Sequence, residues 1–456
     1  MTPFLPRLKW HVAELLTLAW PVMLSRAGIL IMALVDIVML GNYGFGAVGI
    51  SNLGISIFVP ILVVTIGLCS GLVPVVSQAY GAGAWGECGR AWRRALVWGG
   101  FLSIFATWLT CQAEWLLLLF GQSPEMAAGG ASVAYALAPG MTAQVLFAVC
   151  AFYLESTGRP RFAMLAMLVA NIVNLALNWV LIFGNLGMPE LGAVGAALAS
   201  TLARIIVCAM MFWVILNQVN AIEAGVRGPW ETFWGPGGWR AGWPMRKLGM
   251  SAGLSNGFET FGFAAMTMFA GQLGALALDA YSIVHNLMAT VFMIGLGLSI
   301  ATGVRVGNEV GRGRMSEAVF AGWTGLGLGF TIMAIMGLVT WFGRDTIAWL
   351  YASDPDVIAR AAMLCMICAF IYAPDCGQIV LGQAVRAFGD AWMPILCYLV
   401  SFTVFMVPFG WWMINGLGWD ERGLLIAILV ACWFATILLA LRFWTLARRA
   451  HELRHG

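Results

Sequence analysis

From Ala19 to Leu40 the chain reads AWPVMLSRAGILIMALVDIVML. About 20 predominantly apolar residues suffice for a helix to cross the hydrocarbon core of a bilayer, so this run predicts a membrane span. Asp36 lies inside it. A carboxylate at the centre of a spanning helix costs roughly 3 kcal/mol even on mild insertion scales, and such groups face a cavity or an ion path rather than lipid. The same conflict recurs twice. Glu259 stands in SNGFETFGFAAM, residues 255–266, and Asp375 in AFIYAPDCGQIVL, residues 369–381.

The surrounding composition makes the membrane reading general. The 456 residues are 61% hydrophobic and 10% charged, with a mean hydropathy of +0.88, outside the range of soluble domains. Apolar runs predict twelve spans, at about 13–40, 47–80, 95–118, 127–154, 162–184, 191–216, 248–272, 278–304, 318–342, 357–385, 391–414 and 423–445. The first is too long for the apolar region of a signal peptide and has no small-residue cleavage site, so it reads as a retained span.

The basic residues set the orientation. If the N-terminus is cytoplasmic, then of the 24 lysines and arginines only Arg344, Arg360 and Arg422 fall in outside loops or at the outer ends of spans, and only Arg26 and Arg204 lie well inside spans. This is a positive-inside pattern, and it places both termini in the cytoplasm. Net charge, +3, says little about partners.

The longest polar connection, about 217–247, divides the spans six and six. The domain reading is an N-lobe over 1–220, an inter-lobe loop over 221–246 and a C-lobe over 247–456. The halves resemble each other. Gly41-x-x-Gly44 matches Gly271-x-x-Gly274, and Gly81-x-Gly83 matches Gly311-x-Gly313, both 230 residues apart. Gly158 with Gly389 and Gly187 with Gly418 are 231 apart. Repeats of this kind are frequent in secondary transporters. Six spans per half keep both halves in one orientation, so the pseudo-symmetry axis should follow the membrane normal.

Several chemistries are missing. Neither lysine, Lys9 or Lys247, sits in a phosphate-binding G-x-x-x-x-G-K-[ST] loop, so nucleotide-driven pumping by this chain is not expected. The histidines His11, His285, His451 and His455 have no metal-ligand spacing. Cys365-x-x-Cys368 lies in an apolar run and reads as helix packing rather than a metal or redox pair. No nucleophile–base constellation stands out, so the chain does not read as an enzyme, and no cofactor is expected.

The polar residues inside spans suggest ion handling. Asn171, Asn174 and Asn178 form a stripe on the fifth span, and the last two are four apart and share a helical face. They read either as interhelical hydrogen-bonding groups or as oxygen ligands that help Asp36 hold a hard cation. Ser200 and Thr201 in the sixth span can add a hydroxyl. Glu259 has Asn256 and Thr260 beside it, and Asp375 follows Pro374. Arg26 and Arg204 read as structural; Arg26 is about 15 Å along the helix from Asp36, too far to pair with it. Burial favours the neutral form of a carboxyl and a nearby cation favours the charged form. A proton, a sodium ion and an organic cation can therefore compete for one carboxylate, which is the basis of antiport. Phe258, Phe261, Tyr372 and Trp392 could offer aromatic faces to a cationic substrate.

Pro21 followed by Asp36-x-x-Met39-x-Gly41, Gln78-x-x-Gly81-Ala82, Asn174-x-x-x-Asn178-Trp179, Gly187-x-Pro189-x-Leu191-Gly192-x-x-Gly195, Glu259, Arg305-Val306-Gly307-x-x-x-Gly311 and Gln383-x-x-Arg386-x-x-Gly389 occur in this order. Together they resemble the multidrug and toxic compound extrusion (MATE) family, NorM-type bacterial branch, over nearly the whole chain. The chain departs from that pattern at Ala280-Tyr281-Ser282, where Ala-His-Gln is common, and at Ile371, where a tyrosine is common. The resemblance implies an all-α membrane protein of twelve transmembrane helices in two pseudo-symmetric six-helix lobes that open to the two sides in turn. It implies an N-lobe cation site of Asp36, Asn174 and Asn178, a C-lobe site of Glu259 and Asp375, and a bend of the first helix at Pro21. The expected function is export of cationic, often aromatic, small molecules across a bacterial inner membrane in exchange for Na+ or H+, by a protein that works as a monomer in the bilayer and binds no nucleic acid. A flippase for lipid-linked oligosaccharide or polysaccharide from the same superfamily is the alternative. It would need a cavity lined by arginine and lysine.

Overall fold

The computed structural model describes residues 4–44, 46–218, 221–227, 235 and 237–452. Among them every regular element is helical: α1 (Phe4–Tyr43), α2 (Ala47–Cys69), α3 (Leu72–Gly81), α4 (Trp85–Thr110), α5 (Ala113–Leu119), α6 (Pro124–Ser156), α7 (Arg161–Leu181), α8 (Gly192–Leu216), α9 (Trp243–Gln272), α10 (Ala275–Gly311), α11 (Met315–Tyr351), α12 (Pro355–Ala387), α13 (Trp392–Tyr398), α14 (Val407–Asn415) and α15 (Glu421–Glu452). A π-helical stretch over Leu399–Met406 joins α13 to α14. Of the connection at 217–247, residues 219, 220, 228–234 and 236 lie outside the described ones.

Ten of these helical segments are long and apolar enough to cross a membrane, α2 with α3 counting as one and α13 to α14 as another. Two of the expected spans differ in character. The third is bent by 55° between α4 and α5 rather than running straight over 95–118. The seventh, α9, has 30 residues but carries Ser251, Ser255, Asn256, Glu259 and Thr260, which keep it out of the strongly apolar set. The second span is interrupted at Ser70–Gly71. Pro74 has no N–H to offer the Ser70 carbonyl, which accepts instead from Val73 N at 3.0 Å.

The repeat read from glycine spacing reappears in backbone conformation. Gly83 and Gly313 have φ of 72° and 71°, Gly158 and Gly389 75° and 88°, and Gly187 and Gly418 81° and 66°. Each matched pair occupies the left-handed region, which glycine reaches without a Cβ penalty. The central helices also correspond. α6 and α12 each have 33 residues. Each begins with proline at its first position, after Ser123 bonding Met126 N or Asp354 bonding Asp356 N. A side-chain acceptor followed by proline is a strong helix start.

By compactness the described chain divides into Leu24–Gly253 and a second unit made of Met1–Met23 with Leu254–Gly456. In the first, α6 is the hub, packed against α2, α4 and α8. In the second, α12 holds that place among α10, α11 and α15, with Leu364, Cys368, Leu381, Leu425 and Phe443 fully buried. The lobes inferred from loop length assign residues 1–23 and 247–253 the other way. The compact division instead falls inside α1, just after Pro21, and inside α9. Glycines permit the close packing. A Cβ on Gly249 would strike the Leu68 carbonyl within the first unit, and one on Gly297 would meet Met23 within the second.

Candidate functional site

Two polar clusters occur, one in each unit. In the first, α1 carries Asp36, α7 carries Asn174 and Asn178, and α8 carries Ser200. Spacing of four residues on α7 stacks both amides on one face, and both are fully buried. Asn178 Nδ2 donates to Asp36 Oδ1 at 2.6 Å and Asn174 Nδ2 to the same oxygen at 3.2 Å. Ser200 Oγ donates to Asp36 Oδ2 at 2.7 Å. Asn174 Oδ1 accepts from Asn178, whereas the buried Asn178 Oδ1 has no hydrogen-bond partner. An unpaired buried acceptor costs about 1–3 kcal/mol. One placed beside a carboxylate is relieved by a cation.

The asparagine stripe divides by role. Asn171, one turn from Asn174, donates to the Gly28 carbonyl at 3.0 Å and ties α7 to α1. Ser200 joins the cluster, while Thr201 turns to the Ala136 carbonyl of α6 at 2.8 Å.

In the second unit, α9 supplies Glu259 and α12 supplies Asp375 and Gln378. The fully buried Gln378 donates through Nε2 to Glu259 Oε1 at 2.7 Å and to Asp375 Oδ1 at 3.3 Å. One amide thus bridges the two carboxylates. Its own Oε1 is buried without a partner. On α15, Cys432 Sγ lies 3.8 Å from Asp375 Oδ1, and Thr436 donates to the Pro374 carbonyl at 2.7 Å, tying α15 to α12 beside Asp375. Two carboxylates held this close repel, and a proton or a metal cation between them offsets the repulsion.

Sequence reading found Asp36, Asn174, Asn178, Glu259 and Asp375, and the structure groups them as three and two. It overlooked Gln378, since a glutamine one turn beyond Asp375 carries no charge to flag it. It also overlooked Glu155. Arg26 Nη2 lies 3.1 and 3.3 Å from the Glu155 carboxylate oxygens on α6, a buried ion pair hidden in sequence by 129 residues of separation. Arg386, read as a residue following the tenth span, is buried within α12 and donates to Ser255 Oγ on α9 at 2.9 Å. Pro21 lies within an unbroken α1. The proposed aromatic faces are dispersed: Phe261 and Trp392 are exposed, Phe258 packs on the core, and Tyr372 is buried with its hydroxyl 3.2 Å from Thr340 Oγ1. None of Asp36, Glu259 and Asp375 is tied to a basic side chain in an ion pair among the described residues. No group of three metal-ligating side chains occurs among those residues.

A family model described as MatE matches residues 21–180 and 252–412, which include Asp36, Asn174, Asn178, Glu259, Asp375 and Gln378. The chain belongs to the MatE family. A probable multidrug resistance protein NorM of Caulobacter vibrioides is 32% identical to this MatE chain over 94% of its length and 90% of the relative. The multidrug resistance protein PmpM of Pseudomonas aeruginosa is 29% identical over 97% of this chain and 93% of its own. Among solved structures, the eukaryotic MATE transporter AtDTX14 superimposes with a TM-score of 0.86 at 20% identity, over 98% of this chain and 99% of that one. An outward-facing multidrug resistance MATE transporter of the MOP superfamily gives 0.87 at 17% identity over 96% of each. The fold is therefore that of the MATE transporters, and the chain is a multi-pass membrane protein of a transporter family.

Proposed function

We propose that the protein is a cation-coupled antiporter that exports cationic and aromatic small molecules, including drugs, across a bacterial inner membrane, with both termini in the cytoplasm. The supporting observation is the pair of acid–amide clusters with buried amides, Asp36 with Asn174, Asn178 and Ser200, and Glu259 with Asp375 and Gln378. Each presents carboxylate oxygen beside an amide oxygen that lacks a donor. Oxygen ligands of this kind suit Na+, and the carboxylates equally accept H+. Binding of either ion removes the charge that would hold a cationic substrate, so ion entry drives substrate exit. The N-lobe and C-lobe, 1–220 and 247–456, would move about Pro21 in α1 as access alternates. A single chain carries both clusters, which supports function as a monomer, and no cofactor is required. The names of relatives such as NorM and PmpM support multidrug substrates.

The test is dye efflux and drug susceptibility in a host stripped of its own exporters. D36N, E259Q and D375N should each bring efflux close to background while membrane levels of the protein stay normal. Retention of wild-type efflux by all three would refute the carboxylate mechanism. A Na+ pulse at fixed pH, compared with a pH jump at fixed Na+, identifies the ion in reconstituted vesicles.

A further inference from the structure

Arg204 lies on α8 four residues after Ser200, one helical turn further on the same face. Ser200 holds Asp36 Oδ2 at 2.7 Å, so Arg204, one turn on, stands beside the first cluster. It is not hydrogen-bonded to that carboxylate. Its Cζ sits 4.9 Å from the centroid of the buried Phe58 ring on α2, and its Nη1 is buried with no hydrogen-bond partner. A guanidinium in a membrane span ordinarily finds a carboxylate or carbonyl partner. Arg26 does so with Glu155. Arg204 instead rests on an aromatic face, which gives weaker compensation, with an open donor beside an acid.

We propose that Arg204 is a tethered counter-cation for Asp36: it balances the carboxylate when no ion is bound and weakens the site's hold on the coupling cation, so that the ion can leave. This rests on the reading of Asp36 as a cation site. The charge balance around Asp36 is simple. α7 brings only the neutral amides, α8 brings only Ser200 and Arg204, and on α1 the nearest other charged group, Arg26, is engaged by Glu155 on α6. Removing this neighbouring positive charge should therefore strengthen binding of any monovalent cation, Na+ and H+ alike.

The experiment uses the full chain in proteoliposomes and reads the half-saturating Na+ concentration and the pH midpoint for dye release. R204Q should tighten cation binding about tenfold, the order expected for one unit charge in a partly shielded site. That means a tenfold lower half-saturating Na+, or a pH midpoint about one unit more alkaline. R204K, which keeps the charge, should stay within twofold of wild type. Where turnover is lost because the ion is held too tightly, the cation-induced thermal shift of purified protein gives the same half-saturation. R204M substitutes if R204Q does not accumulate. An unchanged or weakened affinity in R204Q overturns the proposal, as does an equal shift in R204Q and R204K, which would mark packing on Phe58 as the cause. D36N separates the two levels. If D36N keeps ion-dependent release, the cation-site reading itself fails and this inference with it. If D36N loses it while R204Q leaves affinity unmoved, only the role of Arg204 fails.

Discussion

Asn178 Nδ2 makes the shortest contact to Asp36, at 2.6 Å, and its Oδ1 is the unpaired acceptor of the cluster. Truncation removes both a hydrogen bond to a charged group, worth about 1.5–3 kcal/mol, and an oxygen available to a cation. N178A should raise the half-saturating cation concentration about tenfold or more in vesicle transport, and N178D should not mimic it because it adds a charge. The Arg26–Glu155 pair makes a different prediction. Removing one member strands a buried charge at a cost of about 3–5 kcal/mol, whereas replacing both with apolar groups is close to neutral. R26M should therefore lower thermal stability in detergent sharply, and R26M/E155M should recover most of it. Asp36, Glu259 and Asp375 were visible in the sequence because a charge in an apolar run is an anomaly. Gln378 and Ser200 were harder to weigh, because neutral polar residues are common in spans and only proximity to a carboxylate gives them significance.

Helix packing depends on glycines at which a side chain would collide with backbone. Gly249 of α9 faces the Leu68 carbonyl and Gly297 of α10 faces Met23, while Gly41 near the end of α1 has open space around it. Overpacking typically costs about 1–3 kcal/mol. G249A and G297A should each lower the thermal midpoint of purified protein by several degrees, and G41A should leave it unchanged. Apolar run lengths were enough to locate the ten long apolar segments. The bend between α4 and α5 and the interruption at Ser70–Gly71 were not legible. Helix direction there is set by neighbours and by single carbonyls whose donors are lost, and neither changes the average hydropathy of a run.

Both halves of the molecule give up a half-helix. Residues 1–23 group with 254–456, and 243–253 group with the rest of 24–253. Cutting the chain within residues 228–234 separates each half from a segment its compact unit contains. Either fragment expressed alone should therefore accumulate poorly and give no efflux, and co-expression of the two should restore both protein level and dye export. The sequence by itself determined the helical membrane class, the apolar spans, the glycine repeat and the three acids within those spans. Length, charge placement and glycine spacing are local or periodic properties, so they survive without knowledge of contacts. Only the tertiary structure decided which acid meets which amide, that Arg26 is engaged by Glu155 while Arg204 stands beside Asp36 without bonding it, and that the compact units divide inside α1 and α9. These depend on contacts between residues more than a hundred positions apart, and helix periodicity carries no information at that range.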